Sequence, residues 1–201
     1  MEQKKGIRLH WNAPAVLTFT LICVIVMALD ELFAGKVTQL FFSVRRSSLL
    51  DPLTYVRLFG HVLGHADWNH LLGNMMTLLI VGPLAEEKYG TSNMWFLMLT
   101  TALVTGLIQM IFFPGASLLG ASGVVFALIL LASITSVRQG SIPITFILVA
   151  ALYIGEQVYS MFTTQGNISY MAHIVGGLIG AGLGYLMNRW RMIRWKKGGV
   201  A

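Results

Sequence analysis

Six apolar stretches run through this chain between Pro14 and Met187, most of them long enough to cross a lipid bilayer as a helix. A hydrocarbon core about 30 Å thick takes about 20 apolar residues in helical form. Such stretches leave little freedom: the chain is expected to be an all-α, polytopic membrane protein. Composition agrees, with 56% hydrophobic and 11% charged residues, whereas soluble domains carry about 25% charged. A water-facing shell for a soluble domain of 201 residues is missing. The single cysteine, Cys23, excludes an internal disulfide. The net charge of +6 gathers mainly at the two ends, beside apolar segments. Membrane topology explains that placement better than nucleic-acid binding does.

The expected organisation is a cytoplasmic N-terminal segment over 1–13, a six-helix membrane domain over 14–190 and a basic cytoplasmic tail over 191–201. The first span covers Pro14 to Gly35, too long for a signal-peptide core and without a cleavage site. Lys36 to Asp67 is expected to be a long structured loop with short interfacial helices. The remaining spans are Trp68 to Ala85, Asn93 to Phe113, Ser122 to Val137, Ile142 to Phe162 and Ser169 to Met187. A chargeless loop, Pro114 to Gly120, precedes the fourth. There is no internal repeat and no low-complexity segment.

Six spans place both termini on one side. The head, the turns with Lys88 and Arg138 and the tail hold ten of the fourteen basic residues; Lys36, Arg45, Arg46 and Arg57 share the first loop. The positive-inside rule makes the termini cytoplasmic, with a bacterial cell membrane as the expected location. Spans two, four and six then run in parallel from the outer face. Ser122 opens span four, His173 lies about one turn into span six, and His70 and Asn74 open span two. Four polar residues from three helices converge near the outer face, where polar groups cost free energy and tend to mark function.

Their chemistry is that of nucleophilic hydrolysis. A serine needs a base to take its hydroxyl proton, and His173 is the only histidine in the second half of the chain. Gly120 and Gly123 permit a tight turn that exposes the Ser122 hydroxyl at a helix start. Free backbone N–H groups there favour a developing oxyanion. His70 and Asn74, four residues apart, share one helix face and can donate to the same oxyanion. No carboxylate is placed to orient His173, so a Ser–His dyad is expected.

These residues resemble the rhomboid intramembrane serine proteases. Gly120-Ala121-Ser122-Gly123 is similar to the family's GxSG. Ala172-His173-Ile174-Val175-Gly176 with Gly180 is similar to its AHxxGxxxG, and His70-Leu71-Leu72-Gly73-Asn74 to its HxxxN. His61 and His65 match histidines that often precede the last motif. Glu86, with Tyr89-Gly90, resembles the family's glutamate and glycine after the second helix. The resemblance runs from the first loop to the sixth span. It implies Ser122 as nucleophile, His173 as general base, and His70, Asn74 and the Ser122 backbone N–H as oxyanion donors. Two positions depart from the pattern. Val56-Arg57 stands where the family often has Trp-Arg, so Arg57 can anchor the loop without the aromatic. Phe126 stands where many members have tyrosine; it can pack on His173 but has no hydroxyl.

Simpler readings exist for each motif alone. Glycine and serine are common packing residues in membrane helices, and Gly176, Gly180 and Gly184 are expected to form such a face against span four. His61, His65 and His70 invite a metal reading, but the chain lacks HExxH and an acidic partner other than Asp67, so no metal and no cofactor is expected. His61 and His65 are instead expected at the wet end of the site. Glu156, inside span five, is outside the expected catalytic set and can be hydrogen-bonded to Gln157 or water. The expected partners are single-pass transmembrane substrates and the bilayer, with no nucleic acid. A catalytically silent helix binder and a small transporter are the alternatives. The intact serine and histidine disfavour the first; the absence of an inverted repeat and of a charged pathway disfavours the second.

Overall fold

A computed structural model describes residues 10–134, 142–163 and 168–198. Its elements are α1 (Pro14–Leu32), α2 (Lys36–Phe41), α3 (Pro52–Gly60), α4 (Trp68–Tyr89), α5 (Thr91–Phe112), α6 (Ser122–Ser133), α7 (Ile144–Thr163) and α8 (Ile168–Gly198). Six of them, α1 and α4 to α8, form a helical bundle. α1, α5, α7 and the Ser169–Arg189 part of α8 are long and apolar enough to cross a membrane, and α6 is a shorter apolar helix. α4 has the length, 22 residues, but carries His70, Asn74 and the acidic pair Glu86-Glu87. The first loop holds two short helices, as its mixed composition predicts.

Several ends differ from the sequence expectation. α1 stops at Leu32, because Ala34 and Gly35 both take positive φ (52° and 81°) and break the helix before α2. α4 runs on to Tyr89 and closes at Gly90, whose φ of 86° suits glycine. Apolarity marks where hydrocarbon is, not where hydrogen bonding stops, so α4 outlasts its apolar run. For the same reason α8 continues through Trp190 to Gly198, where a separate tail was expected. The end of the fourth span around Val137, and the charges at Lys4, Lys5, Arg8 and Arg138, lie outside the described residues.

The closest packing is between α6 and α8. A Cβ on Gly176 would run into the backbone carbonyl of Gly123, one on Gly180 into that of Ala127, and one on Gly184 into Ile134. The glycine stripe of α8 therefore lies directly on α6, backbone against backbone. Below the stripe, the Asn188 Nδ2 donates to the Tyr89 hydroxyl (3.0 Å) and to the Ile134 carbonyl (2.9 Å), tying α8 to α4 and α6.

α1 begins at Pro14 without a side-chain cap of its own. Glu86 of α4 takes that role. Its Oε1 and Oε2 accept from the Ala15 and Val16 N–H groups at 2.8 and 3.0 Å, and Oε1 also accepts from the Thr91 hydroxyl at 2.7 Å. An acidic group at a helix N-terminus satisfies orphan donors and the positive end of the dipole together. Glu86 lies four turns along α4 from His70, so it holds the bundle and stands apart from the site that it resembles on sequence.

The first loop covers the segment leading into α6. Arg57 is buried; its Nε donates to the Leu40 carbonyl (2.7 Å) and its Nη1 pairs with Asp51 (3.2 Å), which joins α3 to the end of α2. Val44 and Leu118 exchange both backbone hydrogen bonds at 2.9 Å, and the Gly120 N–H donates to the His61 carbonyl at 2.9 Å. From the other side, Gln109 Nε2 donates to the carbonyls of Phe113 and Ala116. The part of the segment next to α6, Leu118, Gly120 and Ala121, is thus buried with its backbone groups bonded to protein, as backbone within a bilayer requires.

His61 and His65 supply two of these bonds. Each is 1% exposed, which corrects the expectation of a wet position. His61 lies 3.1 Å from the Leu58 carbonyl through Nδ1 and 3.2 Å from the Thr105 hydroxyl through Nε2. His65 bonds the Leu63 carbonyl through Nδ1, and its Nε2 accepts from the Ala121 N–H at 3.4 Å. Burial pushes both imidazoles down to about 4; for His65 the neighbouring His70 adds to the effect.

Two predictions follow from these contacts. Glu86→Ala leaves two N–H groups without their acceptor, a loss of about 2–4 kcal/mol. The melting temperature in detergent should fall by roughly 5–10 °C, with Glu86→Gln in between. An unchanged melting temperature would remove the capping role. For the two histidines, the folded pKa lies below the unfolded 6.5, so the unfolded chain binds protons more readily. Stability is then full above about pH 6.5 and is lost as pH falls towards about 4. Melting curves across this window should show the decline, and His61→Gln with His65→Gln should make it shallower. A flat profile in the unaltered protein overturns the assignment.

Candidate active site

Ser122 is the first residue of α6, preceded by the cap residue Ala121, and no side chain caps the helix. The amides of its first turn are therefore available to an anion. The turn before it depends on Gly120, with φ of 116°. A Cβ there would also stand 2.7 Å from Cε1 and 2.9 Å from Nε2 of His70. Gly120 is required twice, by backbone conformation and by the imidazole packed on it.

His70 approaches from α4. Its Nδ1 accepts from the Ala66 N–H at 3.5 Å, which assigns the proton to Nε2, on the side of Gly120. Its ring meets that of His65 edge to face, centroids 5.1 Å apart. Asn74, one turn on, is buried and gives one N–H to the His70 carbonyl at 3.1 Å. An amide has two N–H donors, so a second one is available for a ligand.

His173 approaches from α8. The glycine contact with α6 brings it level with the Ser122 turn: a Cβ on Gly123 would stand 3.4 Å from the Ala172 carbonyl. Phe126, one turn after Ser122, stacks on the His173 ring at 4.4 Å between centroids and 5° between planes. The missing hydroxyl of a tyrosine therefore leaves ring packing intact. Tyr153 of α7 also meets Phe126, edge to face, at 5.7 Å and 75°. Among the described residues no hydrogen bond joins His173 to the Ser122 hydroxyl. The ring instead bonds Gln157 of α7, with Nδ1 to Oε1 at 2.6 Å.

The structure thus gathers Ser122, His173, His70, Gly120, Gly123 and Phe126 at one end of α4, α6 and α8, with Asn74 one turn deeper. His61 and His65 bond the segment that leads to Ser122, and Arg57 joins α3 to the end of α2. Glu86 is at the opposite end of α4, and Gly176, Gly180 and Gly184 form the helix contact. Gln157 and Tyr153 are additions. Gln157 had a visible signal: it is polar inside an apolar span, beside Glu156, near the end of that span closest to His173. The group that faces His173 is an amide, where only a carboxylate was expected to be able to orient it. Among the described residues no group of three His, Cys, Asp or Glu side chains is arranged to hold a metal ion.

The Rhomboid domain family matches this chain over residues 52–190, which takes in α3 through most of α8 and all of these site residues. Curated relatives share the name. Rhomboid-related protein 2 of Mus musculus is 31% identical over 158 residues, covering 68% of this chain and 52% of its own length. Rhomboid-type serine protease 2 of Eremothecium gossypii is 30% identical over 165 residues, 74% of this chain and 61% of that one. Rhomboid protease GlpG of Yersinia pestis is 27% identical over 172 residues, 83% and 60% respectively. The chain therefore spans about half to three-fifths of the length of these relatives. With the family match covering well over half of the chain and the motif residues assembled at one end of the bundle, the chain belongs to the rhomboid family.

Proposed function

We propose that this chain is an intramembrane serine endopeptidase that cleaves membrane-anchored substrates with a Ser122–His173 dyad. The observation that carries the reading is the stack of His173 on Phe126, one turn from Ser122, across helices in backbone contact. Two of the relatives are named as proteases, which supports the same reading.

The chemistry follows from the groups present. The Ser122 Oγ attacks the scissile carbonyl carbon while its proton passes to His173 Nε2. The carbonyl oxygen gains the charge and is met by the Ser122 N–H, the His70 Nε2–H and the free Asn74 N–H. His173 then protonates the leaving amine, and the C–N bond breaks to give an acyl-enzyme. A water molecule, deprotonated by His173, releases the acid and restores the hydroxyl. With the termini cytoplasmic by the positive-inside rule, this end of the bundle lies near the outer face. The substrate is a single-pass helix whose end unwinds there, since an intact helix hides its carbonyls.

Ser122→Ala and His173→Ala should each reduce cleavage of a reconstituted transmembrane peptide to background, and the pair should be no worse than either alone. A fluorophosphonate probe should label the protein only when Ser122 is present. Full proteolysis in either folded variant would falsify the dyad, and absence of labelling in the unaltered protein would favour a silent helix binder. For the oxyanion donors, loss of one typically costs ~10²–10³ in turnover. His70→Ala and Asn74→Ala should lower kcat more than they raise KM. The single effects are smaller if one donor covers for the other. Unchanged turnover in the double variant removes both from the site.

A further inference from the structure

α7 is the helix with the least inside it. Among the described residues Gln157 is its one buried side chain, while Ile147, Leu148, Leu152 and Tyr159 are exposed. A helix facing lipid gains nothing from turning an amide inward unless the amide is bonded. Both ends of this one are. Its Oε1 lies 2.6 Å from His173 Nδ1, and its Nε2 meets the carboxylate of Glu156. Glu156 also accepts from the Ser160 hydroxyl at 2.9 Å. An amide oxygen only accepts, and Oε1 is the atom that faces the ring. The bond to His173 then runs one way: Nδ1–H donates and Oε1 accepts.

We propose that Gln157 is the positioning residue of His173, fixing the tautomer with Nδ1 protonated and Nε2 free to take the Ser122 proton. Phe126 fixes the plane of the ring and Gln157 its edge, so the imidazole is held on two sides by two different helices. The acceptor is neutral and has no proton affinity in this range, so it orients the base without competing for the proton. The bond strengthens when the ring becomes imidazolium, because a charged donor bonds more strongly than a neutral one. Since Gln157 comes from α7 and His173 from α8, the base is fully oriented only while α7 is docked.

This inference rests on the reading of His173 as general base, and the test separates the two. Solid-state ¹⁵N NMR of histidine-labelled protein in lipid, with His173 identified by the signals lost in His173→Asn, reports its tautomer without any turnover. The expected result is protonated Nδ1 and unprotonated Nε2. In Gln157→Met, which keeps the volume and loses the acceptor, the ring signals should move towards the other tautomer. Its kcat should fall on the order of tenfold, the loss of about one hydrogen bond, with KM unchanged. Gln157→Glu, which restores an acceptor oxygen at the same reach, should recover most of kcat. Protonated Nε2 in the unaltered protein overturns the proposal whatever the variants do. So does a Gln157→Met protein with unchanged ring signals and kcat. An unaltered protein with the expected tautomer but no proteolysis would sink the protease reading and leave the hydrogen-bond assignment standing.

Discussion

The contact of α8 on α6 through Gly176 and Gly180 is the constraint on which the rest depends. In hydrocarbon, apolar side chains gain nothing by leaving lipid for one another, so close packing has to do what hydrophobic burial does in water. Two glycines placed four residues apart let one backbone lie on another, with Gly123 and Ala127 on the facing side. Ser122 adjoins the first of these contacts, and His173 precedes it by less than a turn. The approach of the two groups is therefore a by-product of how the helices touch. Asn188 fixes the far end of the same pair through Tyr89 and Ile134.

A second constraint is the irregular backbone ahead of Ser122. An exposed serine at a helix start needs a loop leading to it, and a loop at that depth needs partners for its polar groups. The first loop and α5 supply them: Val44, His61, His65 and Gln109 together serve Leu118, Gly120, Ala121 and Ala116. His61 and His65 are committed to this task, which separates them from His70. Three histidines close in sequence thus have two kinds of work, and the division follows from burial rather than from spacing.

Much of this was legible in the residues, and the misses have physical causes. Apolar length located the helices, because a bilayer demands it. It does not mark where helical hydrogen bonding stops, so α4 and α8 continue through Tyr89 and Trp190 after the apolar face has ended. Ser122, His173, His70 and Asn74 stood out as polar groups in apolar surroundings, and parallel spans put them at one depth. Gln157 was passed over because its partner is on another helix and its side chain carries no charge. The burial of His61 and His65 was hidden because a spacing of four says which face residues share, not what covers that face. The partner of Glu86 was out of sight for a different reason: it is a pair of backbone N–H groups some seventy residues earlier.

That last contact bears on the order in which the protein can be made. The ribosome delivers α1 long before α4, at roughly 5–20 residues per second. The N–H groups of Ala15 and Val16 must then wait several seconds for the carboxylate that caps them. Until α4 arrives, those donors lack the carboxylate that caps them in the folded chain. When Glu86 is threaded into place it joins α1 to the turn between α4 and α5, since the same carboxylate also holds Thr91. One side chain thereby ties α1, α4 and the start of α5 together before α6 and α8, which carry Ser122 and His173, have been synthesised.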